Sequence, residues 1–449
     1  MTTVIDSLAA ELASIPADTP LCIGLSGGLD SVVLLHGLCQ LVPHHRLRAI
    51  HINHHLSQSA DLWQQHCAGL CETLAVEFVA TSVDVKGVLK ASGAGVEATA
   101  RTLRYQSFAD NLHKDELLLL AHHLDDQIET LLLRLMRGAG VRGLSSIPAS
   151  RDVGEGKLLR PLLGVTREQL LNYATSNDLK WVEDDSNSDT RFDRNFCRHE
   201  ILPALATRWP NYRESMSKSL QLVTEAADIV DELAAQDAAS ATEAGMCVVD
   251  LQFLKGLSEP RQRNALRYWL SAIAAPELGW KPLNDLISKL KSHRGAGQVL
   301  VLSSVFQLVA FKEKLHALRV LPAAKPPAED WAMASQDVFV LPDNGELVLR
   351  ASVASPRLPT VSVRYRKGGE VLKRQGRPTK SLKQIFQEAA VPPWLRDRVP
   401  LIYSAETLVC IPGFGPCVPA LLHSADERFH VDIVWNQGEF NWFETSKSD

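Results

Sequence analysis

The sequence predicts an α/β N-terminal domain built on a parallel sheet, followed by a mainly helical domain and a small α+β C-terminal domain. Strand and helix patterns alternate over the first 140 residues. From about Asn211 helical patterns dominate. After the proline-rich stretch "VLPAAKPPAEDW", short strands and turns return. Strands alternating with helices imply a parallel sheet covered on both faces.

Taken in order, "LCIGL" reads as a buried strand and "SVVLLHGLCQLV" as a helix that stops before Pro43. "LRAIHIN" (Leu47 to Asn53) and "VEFVATSV" (Val76 to Val83) are further strands. "GVEATARTLRYQSFADNL" has helical spacing, with Glu97 four residues before Arg101. "ELLLLAH" is an apolar strand and "DDQIETLLLRLMR" a helix. In "SLQLVTEAADIVDELAAQ" a helical stripe of Leu220, Val223, Ile229, Val230 and Leu233 is expected. "FVLPDNGELVLRAS" resembles a hairpin. The expected boundaries are 1–215, 216–322, a linker at 323–340, and 341–449.

The chain has 449 residues, ample for several cores at 45% hydrophobic content. Its formal net charge of -5 means that any nucleic-acid contact must come from local patches. The eight cysteines form no CxxC pair, and a reduced, cytosolic setting without disulfide staples is expected. The N-terminus has no basic region typical of a signal peptide, and no apolar run is long enough to span a bilayer.

Three polar clusters follow strand ends: "SGGLDS", "HINHH" and "HHLDDQ". In parallel sheets ligands bind beyond the carboxyl ends of strands. In Ser26, Gly27, Gly28, Leu29, Asp30 and Ser31, adjacent glycines between strand and helix free backbone N–H groups for an anion. The loop is neither GxxxxGK[ST] nor GxGxxG. Asp30 would repel a bare phosphate, so a bridging Mg²⁺ is expected. On the helix after "AHH", Asp126, Glu129 and Thr130 share a face, suited to Mg²⁺ or an amine. An acidic helix N-terminus is the plain alternative for Asp125 and Asp126. With His122, His123 and Asp125 a transition-metal site is a further reading, lacking a well-spaced third ligand.

"SGGLDS" resembles the pyrophosphate loop of the PP-loop (N-type) ATP pyrophosphatases. That resemblance implies a Rossmann-like fold and ATP cleaved to AMP and pyrophosphate while a substrate oxygen is adenylated. It places Ile52 and His54 near the adenosine, with Asp30 and Asp126 holding Mg²⁺. His51, Asn53 and His54 read equally well as strand-end residues bonding loop backbone.

Further matches come in order: "EATARTLRYQ", "AHHLDDQIET", "RGAGVRGLSSIP", "RPLL" and "VEDDSNSDTRFDRNFCRHEILPAL". Together they closely resemble the catalytic domain of the tRNA(Ile)-lysidine synthetase family, and "LKRQGRPTKSLKQIFQEAAVPPWLRDRVPLIY" resembles its C-terminal domain. The resemblance implies tRNA(Ile) and free L-lysine as partners, no membrane, and admits a homodimer. It implies catalytic roles for Asp30, Asp126, Glu129, Arg194 and Arg198, and RNA contacts for Arg101 and Arg104. A tail run with ten Lys/Arg between Val361 and Val399, opposed by Glu370, Glu388 and Asp397, adds Lys373, Arg374, Arg377 and Lys380 as RNA-binding candidates. A PP-loop tRNA thiolase and a non-catalytic ATP-sensing RNA-binding protein are the competing readings.

Overall fold

The computed structural model describes the chain except residues 1–2, 56, 58, 86, 89–95, 146, 185–187, 243–246, 294–296, 304–305, 334–337, 352–359, 373–378, 415–430 and 438–449. It forms two compact units, Met1–Val230 and Asp231–Asp449.

The first unit holds a six-stranded sheet in the order β3-β2-β1-β4-β6-β5. Its strands are β1 (Leu21–Gly24), β2 (Leu47–Asn53), β3 (Glu77–Ser82), β4 (Leu117–Leu119), β5 (Ser150–Val153) and β6 (Gly156–Leu159). All neighbours pair in parallel except β5 with β6. Successive strand residues face opposite sides. Leu21, Ile23 and Leu119 join one core, while Cys22, Leu118 and Leu120 join another. This is why these strands are apolar throughout.

The helices are α1 (Val4–Leu12), α2 (Leu29–Leu41), α3 (Ala60–Thr73), α4 (Val96–Asn111), α5 (Leu124–Met136), α6 (Val141–Leu144), α7 (Arg167–Ser176), α8 (Asp193–Phe196), α9 (Leu202–Arg208) and α10 (Tyr212–Ala241). The chain winds from β1 outward to β3, then returns to place β4 on the other side of β1. That reversal opens a crevice between the ends of β1 and β4. The loops leaving those strands are the ones carrying Ser26–Asp30 and His122–Asp126.

In the second unit α11 (Leu251–Gly256), α12 (Glu259–Ala272) and α13 (Trp280–Ser292) share a core with the sheet β7-β10-β9-β8. Those strands are β7 (Val248–Asp250), β8 (Gln298–Leu302), β9 (Phe306–Phe311) and β10 (Lys314–Arg319). A separate core serves the C-terminal strands and the helices α14 (Leu382–Glu388) and α15 (Pro393–Arg396). The expected hairpin is present: Val338–Val340 pairs antiparallel with Glu346–Ala351.

Three expectations change. On α10, Leu220 is buried, but Ile229 is 66% and Val230 38% exposed, while the small Ala227, Ala234 and Ala238 face inward. Within the span expected as a linker, Trp331 is fully buried in the C-terminal core and pairs with Val361. Cys410 is disulfide-bonded, whereas Cys22, Cys39, Cys67, Cys71, Cys197 and Cys247 are free.

Candidate active site

The loop after β1 is shaped by its glycines. Gly27 has φ +86°, and a Cβ there would lie 3.0 Å from both Cys67 Sγ and Val182 Cγ2. Its carbonyl accepts from the Val182 N–H at 2.9 Å, which pins the loop from behind. The Ser31 hydroxyl lies 3.1 Å from that of Ser26 and donates to the Gly28 carbonyl at 3.0 Å. Gly28 caps α2 without a side-chain hydrogen bond. The first-turn N–H groups of α2 are therefore left for an incoming anion. Leu29 is buried and anchors the turn.

The second strand end divides by role. His51 donates from Nδ1 to the Leu25 carbonyl at 2.9 Å, tying β2 to the loop after β1. Asn53 donates to Asp61 and Gln64 and accepts from the His55 N–H. Both bond local structure. His54 differs: its Nδ1 is buried without a partner. Burial, then the positive charges of Arg104 and His51, push its pKa down to about 4, so the ring is neutral. Ile52 is buried in β2 beside it.

The end of β4 is locked by reciprocal capping. The His123 side chain accepts from the Asp126 N–H, and the Asp126 carboxylate accepts from the His123 N–H at 3.0 Å. This arrangement puts His123 Nε2 3.6 Å from both Asp30 Oδ2 and Asp126 Oδ2. Burial disfavours charge on His123, but Asp30, Asp126 and Asp125 outweigh it and its pKa is raised. Burial also opposes ionisation of Asp126. The charges of His123 and Arg194 prevail, and its pKa is lowered. Asp125 serves the scaffold. Its Oδ1 accepts from Arg213 Nε and its Oδ2 from the Arg167 N–H, each at 2.8 Å.

Arg194 and Arg198 close the site. Arg194 donates to Glu129 Oε2 at 2.7 Å and to Asp126 Oδ1 at 2.9 Å. Arg198 donates to both oxygens of Glu129, at 2.7 and 3.1 Å. Arg194 lies on α8, and the chain widens into one turn of π-helix over Cys197–Ile201. Such turns recur at functional sites. Two carboxylates thus meet two guanidinium groups at the mouth of the crevice.

A magnesium ion fits the donor set at Asp30, whose Oδ1 is buried without a partner. Asp126 would share it, because Asp30 Oδ2 and Asp126 Oδ2 converge on one point, each 3.6 Å from His123 Nε2. Among the described residues, no group of three or more His, Cys, Asp or Glu is arranged to hold a metal.

Of the RNA candidates, Arg101 and Arg104 both lie beside the Tyr105 ring, at 5.1 and 5.6 Å. Lys373, Arg374 and Arg377 lie outside the described residues. Lys380 pairs with Glu388, Arg364 with Glu406 and Arg366 with Asp397. Arg396 and Arg398 donate to backbone carbonyls. The basic run is therefore partly neutralised and partly structural. Tyr105, Arg151 and Arg167 join the site's surroundings, although the sequence does not mark them as site residues, and His123, read there only as a possible transition-metal ligand, caps the helix that carries Asp126. The contacts of Arg151 with Tyr105 and of Arg167 with Asp125 join residues more than forty positions apart, which chain order does not reveal.

The chain matches known domain families along its length. A PP-loop domain model matches residues 1–205. A TilS substrate binding domain matches 250–316 and a TilS substrate C-terminal domain 361–435. The chain is 38% identical over 440 residues to a tRNA(Ile)-lysidine synthase of Pseudomonas syringae pv. tomato, covering 93% of each chain. It is 40% identical to one of Pseudomonas aeruginosa, covering 87% of this chain and 88% of the relative. It is 37% identical to one of Coxiella burnetii, covering 92% of each. With the PP-loop domain and both accessory domains matched in order, and relatives 37–40% identical over most of the chain, the chain belongs to the tRNA(Ile)-lysidine synthase family.

Proposed function

We propose that the chain ligates lysine to C2 of the wobble cytidine of a tRNA(Ile) with a CAU anticodon, through an ATP-adenylated cytidine. The reaction releases AMP and pyrophosphate and changes codon reading from AUG to AUA. The observation that carries this reading is the meeting, at one crevice, of a phosphate loop lacking lysine with the Asp126–Glu129–Arg194–Arg198 cluster.

The C2 oxygen of cytosine is a poor leaving group. Its attack on the α-phosphate of ATP expels pyrophosphate and makes it an adenylate ester. The ε-amine of lysine then attacks C2, AMP departs, and the amine loses a proton. The loop Ser26–Ser31 and the start of α2 hold the β- and γ-phosphates, and Ile52 and His54 border the adenosine. Asp30 and Asp126 would hold Mg²⁺, which would neutralise the charge that builds on the phosphates. Arg194 and Arg198 stabilise the reacting phosphate. Glu129 accepts three guanidinium N–H bonds, a pocket shaped for cationic N–H donors, and with Asp126 it receives the lysine ammonium or accepts its proton.

Arg101, Arg104 and the tail residues Lys373, Arg374, Arg377 and Lys380 contact the tRNA, gripped by 216–322 and 341–449. The setting is the cytoplasm, and among the described residues no helix is long and apolar enough to cross a membrane. The thiolase reading needs an activated thiol. Burial raises Cys67 and Cys71 to about 12 and Cys197 to about 11, away from thiolate chemistry.

Incubation with ATP, Mg²⁺, labelled lysine and tRNA tests the proposal. Label should enter the RNA only when ATP is present. ATP-dependent sulfur incorporation, or RNA binding without label, would replace it.

A further inference from the structure

A second group of guanidinium side chains lies beside the catalytic cluster. Arg151 on β5 places its guanidinium carbon 3.9 Å from the centre of the Tyr105 ring. Arg101 and Arg104 flank the same ring, and Arg160 donates to the Tyr105 hydroxyl at 3.4 Å. Arg160 spends its other donors on His122 and the Pro148 carbonyl, while Arg104 Nε is buried without a partner. Burial raises the Tyr105 pKa, but the charges of Arg101 and Arg104 outweigh it and the phenol lies below its ordinary value.

Around this ring is a concavity of about 400 Å³ lined by Arg101, Tyr105, Gln106, Arg151 and Gly154. It is rigidly built. Gly154 has φ +56°, and a Cβ there would meet Ala109 backbone at 3.2 Å, so the β5–β6 turn is pressed onto α4. That close approach holds Arg151 over the ring.

Charge here forms a track. Burial lowers the Arg104 pKa and the charges of Arg101 and Arg194 add to it, while Arg160 donates to His122, the residue before His123 of the catalytic cluster. The basic groups thus run from the catalytic arginines out to the concavity. A polyanionic strand with regularly spaced phosphates fits a track better than a single small anion. Guanidinium planes and aromatic rings also offer stacking faces to unpaired bases.

We propose that the Arg101–Tyr105–Arg151 concavity binds a phosphodiester of the RNA substrate, in the single-stranded segment next to the reacting cytosine. This rests on the functional reading above, which supplies the RNA.

The test measures binding of an anticodon stem–loop RNA to the full chain across a salt series. Arg151→Ala should weaken binding roughly tenfold and lower the salt slope by about 0.7, the value for one single-strand phosphate contact. Arg151→Lys should keep the slope and weaken binding less, since it retains charge but loses the planar face. Arg151 is exposed, so the thermal midpoint should stay at the wild-type value. Wild-type affinity and slope in both Arg151→Ala and Arg101→Ala would overturn the pocket while leaving the ligase reading intact. Loss of affinity for inorganic phosphate alone would also overturn it, assigning the site to a free anion. A wild-type chain that binds no RNA would overturn both readings.

Discussion

Arg198 grips Glu129 with two hydrogen bonds, from Nε at 2.7 Å and from Nη2 at 3.1 Å, across 69 residues of sequence. Glu129 is fully buried, and the arginine is 22% exposed. The pair fastens α8 and the following π-turn onto α5, so the cluster is an element of stability as well as chemistry.

Replacing Glu129 with Gln leaves Arg194 and Arg198 without their main counter-charge. Unfolding free energy should fall by about 1–3 kcal/mol, less than for a fully buried pair because the guanidinium groups are partly solvated. Lysine transfer should fall at least tenfold in the same variant. Urea titration and turnover assays read the two effects, and unchanged values in both would remove Glu129 from the account.

Gly27→Ala meets both a left-handed backbone and two side chains at 3.0 Å. It should cost about 1–3 kcal/mol and raise KM for ATP. Gly28→Ala is the control for strain. Its φ is -76°, and its nearest neighbour would be 3.6 Å away, so stability should barely change. Equal destabilisation by both would show that the loop is not held as described.

Acid should destabilise the fold in a defined window. His54 is depressed to about 4 from 6.5 in the folded chain, so folding favours its neutral form. The unfolded chain takes up this proton first. The contribution is complete above 6.5 and is lost as pH falls toward 4. His122, lowered to about 3 chiefly by burial, acts in the same direction. The urea midpoint should therefore drop between pH 7 and 4.5, with a shallower drop in His54→Gln. A steeper drop in that variant would contradict the buried neutral ring.

Replacing Lys373, Arg374 and Arg377 with Ala should weaken tRNA binding and flatten its salt dependence. Their neighbours Lys380, Arg364 and Arg366 are paired with acids, so these three carry more of the expected contact. An unchanged slope would make the tail a solvated face.

What is legible in the sequence is local. The strand at Leu47–Asn53 and the Ser26–Ser31 loop follow from adjacent residues, because apolar runs and glycine conformations act over a few positions. The acids on α5 follow from helical spacing. The arginines opposing them stand out in the sequence, but their pairing with Asp126 and Glu129 closes over 65 to 72 residues. Chain order alone does not set such a distance. The α10 stripe misleads because its large apolar residues suggest the inward face, whereas small alanines take it. Trp331 misleads in the opposite sense, since the surrounding prolines suggest a linker and hide a strand that pairs in the C-terminal sheet.

The central claim is that the RNA base is adenylated before lysine arrives. The direct measurement uses ATP labelled in its α-phosphate, Mg²⁺ and the CAU tRNA, with lysine omitted. Label should accumulate on the RNA, be absent with Asp126→Asn, and leave as AMP when lysine is added. RNA that stays unlabelled without lysine, or label that lysine cannot release, would contradict the adenylated cytidine.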